Sequence, residues 1–506
     1  MADENDKYYV TTPIYYVNDK PHIGHLYTTI AADVLASYHR LRGEEVLFLT
    51  GTDENSQKNT EAAEKQGYED IQAFLDMMAE TWKKAFAEMK ITNDDFIRTT
   101  EGRHRKGVEK FWAMVKETGD IYEGEYVGLY CTGCEAFLNE SDLEDGKCVM
   151  HKKAPQELKE KNYFFRLSAY RERLLAYIDE NPDFIQPLSR RNEVRSYVDK
   201  FMEDISISRD VGAVKVGIPV PGDDTQVIYV WFDALINYLT GVGFGTDDAK
   251  FDKWWPADLH IVGKDIIKFH CALWPAMLMS AGLPLPKRVF AHGFFTIDGD
   301  KMSKSLGNVI DPLDVARKYG RDPLRYFLLR EITFGEDGDF SLKRLEERYN
   351  GELANDLGNL LHRTLSMTEK YLSGEVSAVA DGSVQESWDR YDAAMQSADF
   401  SDALETVWGI LRSSNKLIDD KKPWVLAKEG GDSELSEVMY VLLERLRHIA
   451  WMLKPFMPGV TDRMLEQLGV TESDKRKEYE DRKLWGGMIE GTSIAKGEPL
   501  FPRLEE

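Results

Sequence analysis

The chain has 506 residues, 42% of them hydrophobic, and a formal net charge of −24, which is room for about three domains and too much apolar content for a disordered chain. Such acidity excludes a general polyanion-coating protein and leaves nucleic acid only a local basic face to bind. Four cysteines are too few for a disulfide scaffold, and the clustering of three of them points to a metal. In chain order, residues 8–12 read as a strand from their β-branched and aromatic content. Residues 13–24 read as a loop with Pro13, Pro21 and Gly24. Leu26, Ile30, Val34, Leu35, Tyr38 and Leu41 recur at helical spacing until Gly43. Residues 46–49 form a short apolar run of the kind buried in a parallel sheet. A strand, a helix and a second strand in this order imply a doubly wound α/β fold, with ligands at the carboxyl ends of the strands.

A second α/β stretch begins near Val227, with strands expected at 227–231, 259–262 and 288–290 and a helix over 266–280. The intervening stretch reads as an insertion into a split, Rossmann-like parallel sheet. From about residue 345 onward strand signals end. Val438, Leu442, Leu446, Ile449 and Leu453, spaced by threes and fours, imply an all-α C-terminal bundle, with breaks at Gly430-Gly431 and Gly459. The divisions expected are 1–116 and 226–292 for the two halves of the sheet domain, 117–225 for the insertion, 293–345 for a linking region and 346–506 for the helical bundle. The polar, acidic N-terminus is unlike an export signal, and the best uncharged run, 271–286, is too short and proline-broken to span a membrane. A cytoplasmic protein without membrane contact is expected.

Three motifs carry chemistry. In Pro21-His22-Ile23-Gly24-His25 two imidazoles flank a glycine where a helix opens, and free N–H groups at a helix N-terminus suit a phosphate. Two surface histidines capping a helix would look the same. Lys301-Met302-Ser303-Lys304-Ser305 puts two lysines and two serines in a glycine-flanked loop, either a clamp that neutralises departing pyrophosphate or a solvated basic loop. Cys131, Cys134, Cys148 and His151 have the C-x2-C and C-x2-H spacing of a tetrahedral structural zinc knuckle with no position left for water. A reduced cysteine pair in a turn is the plain alternative, and Cys271, in an apolar helix, reads as a core thiol.

The histidine and lysine motifs, in this order, resemble the HIGH and KMSKS signatures of the class I aminoacyl-tRNA synthetases. Within that class the chain resembles the methionyl-tRNA synthetase family nearly end to end. The carrying segments are Thr11-Thr12-Pro13-Ile14-Tyr15-Tyr16-Val17-Asn18, Gly51-Thr52-Asp53-Glu54, Tyr229-Val230-Trp231-Phe232-Asp233-Ala234 with Tyr238, Gly263-Lys264-Asp265 with His270, and His292-Gly293.

The resemblance implies a two-step ligase that activates methionine with ATP and Mg²⁺ and then charges tRNA(Met). It implies catalytic roles for His22, His25, Lys301 and Lys304. ATP would be met by His22, Gly24, His25, Gly263, Asp265, His292, Gly293 and Lys304, with Asp265 near the ribose or the substrate amine. Asp53 would hold the α-ammonium group, while Ile14, Tyr16, Trp231, Ala234, Leu235, Tyr238 and His270 line the side-chain pocket. An aromatic, polarisable cavity suits a thioether, although aromatics of this kind are otherwise ordinary core. Arg209 is expected at the reacting groups. Asn359, Arg363 and Trp424 would read the anticodon, an amide, a guanidinium and an indole being apt partners for splayed RNA bases. Arg190-Arg191, Lys343-Arg344 and Lys475-Arg476-Lys477 are basic spots for tRNA phosphate or simply solvated surface.

The chain also departs from the family. Asn55-Ser56 stands where the family usually has His-Gly, and no role carries onto those positions. There is one zinc knuckle where some relatives have two. The end at Glu506, without the extra C-terminal module of longer relatives, makes a monomer the expectation. The rivals are a class I synthetase for another amino acid and a synthetase-like RNA-binding protein without catalysis.

Overall fold

The computed structural model describes residues 7–134, 136–138, 142–150, 152–212, 216–297, 300–301, 310–376, 380 and 382–504, with the side chains of 136, 137, 300 and 301 excepted. Two compact units result: Lys7–Ala32 with Val46–His292, and Asp33–Glu45 with Gly293–Glu506.

The first unit is built on a six-stranded sheet in the order Asp95–Arg98, Glu45–Asp53, Lys7–Tyr16, Leu259–Gly263, Val289–His292, Ile185–Gln186. The registers are parallel, for example Val10 opposite Leu259 and Gly263 opposite His292. Strand order reverses between Lys7–Tyr16 and Leu259–Gly263, which is the topological switch point where such sheets bind ligands. The helix Ile23–Leu41 follows the first strand. The strand runs to Tyr16, so four of the residues read as loop are sheet. Pro13 is tolerated within it.

The stretch 227–231 does not form a strand of this sheet. Asp223–Ile228 is one arm of a small antiparallel sheet, and Val230–Ala234 turns into a short helix. A short apolar, aromatic run satisfies a strand pattern and a buried helical turn equally well, and tertiary burial of Val230, Trp231 and Phe232 decides. The helix expected over 266–280 is helical throughout most of its length, but opens into a π turn at Phe269–Leu273 before Trp274–Ala281.

The insertion is a long antiparallel hairpin, Ile121–Cys131 against Gln156–Phe165, paired from Ile121 opposite Phe165 to Tyr130 opposite Gln156. Asp120 anchors its base by accepting hydrogen bonds from Ser280 Oγ at 2.6 Å and Tyr170 Oη at 2.5 Å. The insertion also supplies Ile185–Gln186 as the outermost strand of the parallel sheet, pairing with Val289 and Phe290. The core beneath the sheet is aromatic, with Phe111, Trp112, Phe232 and Trp274 buried together.

The second unit is helical, with Asn359–Leu372, Gln385–Gln396, Phe400–Lys421, Asp432–Leu453 and Pro458–Gln467 as its main helices. Gly430 and Gly431 separate two helices as expected. Gly459 instead lies in the first turn of Pro458–Gln467, because Pro458 starts the helix one residue earlier. Asp33, on the continuing first helix, pairs with the buried Arg325 at 2.7 Å. Arg325 also donates to the carbonyls of Phe456 and Pro455 at 2.9 and 3.0 Å.

Candidate active site and metal centre

His22 and His25 stand where the helix Ile23–Leu41 begins. Backbone N–H groups of His25 and Leu26 close the first turn on the His22 carbonyl at 3.0 and 3.2 Å. The two imidazoles stack, with centroids 3.6 Å apart and planes 23° apart. His25 is wedged against Tyr15 and Trp82, whose rings stack on each other at 5.0 Å. A Cβ on Gly24 would come 3.1 Å from His22 Cε1, so the glycine first makes room for the neighbouring imidazole. Burial pushes His22 down to about 4, and burial with the adjacent His22 pushes His25 well below the ordinary histidine value. Both rings are therefore neutral near pH 7, able to donate hydrogen bonds to phosphoryl oxygens without carrying charge.

His292, at the end of its strand, is tied to the same helix, its Nε2 lying 2.6 Å from Thr28 Oγ1. Gly263 ends the neighbouring strand, and Lys264–Ile266, which contains Asp265, begins as a 3-10 turn directly after it. Gly293 opens the second unit, where a Cβ would stand 2.2 Å from the Glu336 carbonyl. The backbone of Lys301 pairs opposite Thr296. Its side chain, and Lys304 altogether, lie outside the described residues.

Around the switch point, the fold gathers several of the residues expected to form a pocket. Trp231 lies flat on Phe269, centroids 4.0 Å apart and planes 4° apart, and edge-on to His270 at 6.3 Å. The indole N–H of Trp231 is buried with no acceptor among the described residues. Tyr238 Oη lies 2.7 Å from His270 Nε2, and His270 Nδ1 lies 3.0 Å from the Ile266 carbonyl. A carbonyl only accepts, so Nδ1 carries the proton and Nε2 accepts from the tyrosine. Burial holds His270 at about 4 and pushes the Tyr238 phenol well up, so this pair is neutral. Ala234 and Leu235 are buried beside Trp231, and Ile14 and Tyr16, partly buried, pack against the same core. Ile14 and Tyr16 share one face of their strand, while Tyr15 points the other way toward His25. Lys58 places its ammonium group 4.5 Å over the Tyr16 ring. Asp53 ends its strand almost wholly buried.

Sequence reasoning did not single out the surrounding polar groups. His260, stacked on Tyr238 at 4.2 Å, lies 2.7 Å from Thr11 Oγ1 through Nδ1. Glu54, next to Asp53, takes a two-pronged ion pair from Arg98 at 2.7 and 3.1 Å. Ser56 caps the following helix by accepting from the Asn59 N–H at 3.3 Å. A lone histidine or threonine inside an apolar pattern gives no signal in one sequence, and only the unusual Asn55-Ser56 pair drew attention. Arg209 is placed in the insertion's sheets, paired with Glu160 at 3.0 Å and lying 4.4 Å over the Tyr130 ring.

The Sγ atoms of Cys131, Cys134 and Cys148 all lie within 4.8 Å of one another, at the tip of the insertion's hairpin. The Cys134 N–H points at Cys131 Sγ, 3.4 Å away. Burial and the neighbouring thiols push the Cys134 thiol well up, so three converging sulfurs need a cation before they ionise together. The donor set therefore fits a thiophilic divalent metal. His151 lies outside the described residues.

In the helical unit Asn359 starts Asn359–Leu372 with Arg363 one turn on, and Trp424, 36% exposed, sits in the first turn of Pro423–Glu429. These two helices pack against each other. The basic spots have local acidic partners: Arg190 with Glu193 at 2.7 Å, Arg344 with Glu331 at 2.7 Å, Lys475 with Glu472 at 2.7 Å and Lys477 with Asp474 at 2.8 Å.

A switch point guarded by a stacked histidine pair, with a three-cysteine arm inserted between the halves of the sheet, is the layout of a class I synthetase. The model of the class I tRNA synthetases (M) matches residues 8–142 and 138–365, and that of the anticodon binding domain of methionyl tRNA ligase matches 371–506. A methionine–tRNA ligase of Thermotoga maritima is 46% identical over 99% of this chain and 80% of its own length. One from Rickettsia bellii is 44% identical over 99% of this chain and 100% of its own. The Mycobacterium tuberculosis methionyl-tRNA synthetase in complex with methionyl-adenylate superimposes with a TM-score of 0.93 at 40% identity, covering 98% of this chain and 100% of that one. The chain belongs to the methionyl-tRNA synthetase family.

Proposed function

We propose that the protein activates L-methionine with ATP and transfers it to tRNA(Met). The methionine carboxylate attacks the α-phosphorus, forming the mixed anhydride and expelling pyrophosphate. The terminal ribose hydroxyl of the tRNA then attacks the activated carbonyl, releasing AMP as it gives up its proton. Neither step calls for a protein nucleophile, so catalysis rests on positioning and electrostatics. The observation that carries this reading is the neutral His22–His25 stack at a helix N-terminus on the switch point of the sheet.

In this reading His22 and His25 donate to phosphoryl oxygens as charge moves toward the leaving pyrophosphate, helped by Lys301 and Lys304. Mg²⁺ bound with ATP supplies further neutralisation. Gly24, Gly263, Asp265, His292 and Gly293 seat the nucleotide. Asp53 pairs with the substrate ammonium group. Ile14, Tyr16, Trp231, Ala234, Leu235, Tyr238 and His270 enclose the thioether. The neutral Tyr238–His270 pair adds no charge to that pocket, which suits an uncharged side chain. Asn359, Arg363 and Trp424 read the anticodon.

The metal at Cys131, Cys134 and Cys148 is zinc, with His151 as fourth ligand, and its role is structural. Among the described residues no helix is long and apolar enough to cross a membrane; we place the reaction in the cytoplasm, where tRNA is charged, and expect a monomer, which light scattering checks.

Amino-acid-dependent ATP–pyrophosphate exchange across the standard amino acids tests the reading. Exchange with methionine alone is expected. Exchange driven by another amino acid would overturn the pocket assignment, and none with any amino acid from folded, metal-loaded protein would favour a non-catalytic RNA-binding role.

A further inference from the structure

Asp233 is fully buried in Val230–Ala234, the short helix that carries Trp231 and Ala234. Its two carboxylate oxygens are held from two different elements. Asn55 Nδ2 donates to Oδ2 at 2.7 Å, and His104 Nε2 lies 2.7 Å from Oδ1. A carboxylate only accepts, so Nε2 carries a proton. His104 Nδ1 lies 2.8 Å from Thr240 Oγ1, which is itself 3.3 Å from the Asn237 carbonyl. The helix Gly102–Glu117 is pressed directly onto this stretch, since one turn beyond His104 a Cβ on Gly107 would stand 2.2 Å from Thr240 Cγ2. Asn55 stands two residues past Asp53, and its amide also lies 3.4 Å from the Thr99 carbonyl. His104 and Asp233 are 0% exposed, Thr240 1% and Asn55 5%.

A polar cluster this deep is costly unless every group is matched, and the mechanism above uses none of its members. Its location suggests its use. One end is the chain just after Asp53, and the other spans the segment that presents Trp231 and Tyr238. We propose that Asn55 and His104 are positioning residues for amino-acid recognition: by gripping Asp233 from both sides they fix the distance between the carboxylate that takes the substrate ammonium and the aromatic walls that take its side chain. The inference rests on the reading of Trp231 and Tyr238 as pocket walls. An imidazole N–H at residue 55 would donate to Asp233 as the amide does.

The test uses the full-length protein in ATP–pyrophosphate exchange with Asn55→Ala, His104→Gln, Asn55→His and Trp231→Ala, each checked for an intact thermal transition. Asn55→Ala and His104→Gln should raise the KM for methionine about tenfold, since a lost hydrogen bond to a buried charge lets the segment shift. The KM for ATP should stay within about twofold. Asn55→His should restore the methionine KM. If Trp231→Ala raises that KM while Asn55→Ala and His104→Gln leave it unchanged, the positioning role is overturned and the pocket stands. If Trp231→Ala also leaves it unchanged, the pocket assignment fails and the inference with it. A fall in active fraction with both KM values unchanged would mark the cluster as structural only and overturn the proposal.

Discussion

At the scale of single residues, His22, His25 and the Tyr238–His270 pair are neutral groups held in fixed places. The His22 ring occupies the space that a side chain on residue 24 would need: a Cβ there would stand 3.1 Å from its Cε1, closer than ordinary contact. Gly24→Ala should therefore push the imidazole off its stack on His25, lowering the rate of methionyl-adenylate formation about tenfold through misplacement while the melting temperature changes little. Stopped-flow measurement of adenylate formation checks this, and an unchanged rate would show that the ring relaxes without cost. Lys304→Ala is expected to slow the same step by roughly 10²–10³, as loss of one donor at developing charge does, with an unaltered far-ultraviolet spectrum. A negligible fall would remove Lys304 from the mechanism. The sequence displayed the two signatures plainly because they are contiguous. Buried histidines such as His104 and His260 stand singly in the sequence, one among charged residues and one in an apolar strand, and only the folded chain brings them beside the expected pocket.

At the scale of elements, the first strand and helix could be read in advance because each carries one clean period. The stretch 227–231 could not, because five aromatic or β-branched residues in a row fit a buried helical turn just as well. The edge strand Ile185–Gln186 was invisible for a different reason: two residues paired only at Val289 and Phe290 leave no periodicity to detect. The three-cysteine arm makes the clearest prediction at this scale. Its three sulfurs converge at the hairpin tip, where the small strands around them, Leu143–Glu144 and Lys147–Cys148, are two residues each. Pieces so short do not hold together by themselves. Stripping the metal with a chelator should therefore open residues 131–150 to limited proteolysis, while the main thermal transition of the parallel sheet persists and aminoacylation falls only indirectly. Full protease resistance in verified metal-free protein would argue against a metal-organised tip.

For the whole molecule, buried histidines make stability depend on pH. His270 and His22 are each held at about 4 by burial, and His260 lies well below its ordinary value for the same reason. The unfolded chain takes up protons on these rings below about pH 6.5 while the folded chain does not. Their stabilisation is thus complete above pH 6.5 and drains away as pH falls toward 4, on the order of 3 kcal/mol for the fully enclosed His270. Urea midpoints should drop between pH 7.5 and 5, and His270→Gln should shrink that drop; an identical drop in the variant would refute the assignment. The net charge of −24, with most basic spots already matched by neighbouring acids, implies weak attraction for RNA of the wrong shape and binding that declines with salt. The insertion, finally, is two things under one boundary. Its tip begins beyond the Tyr130–Gln156 rung, where the described strands are two or three residues long, while Ile185–Gln186 forms the selvedge of the nucleotide-binding layer. Lineages are therefore free to lengthen, shorten or duplicate the finger at the tip, but a crossover that discards the entire segment unravels the sheet from its border, so these two parcels of sequence must be inherited under different rules.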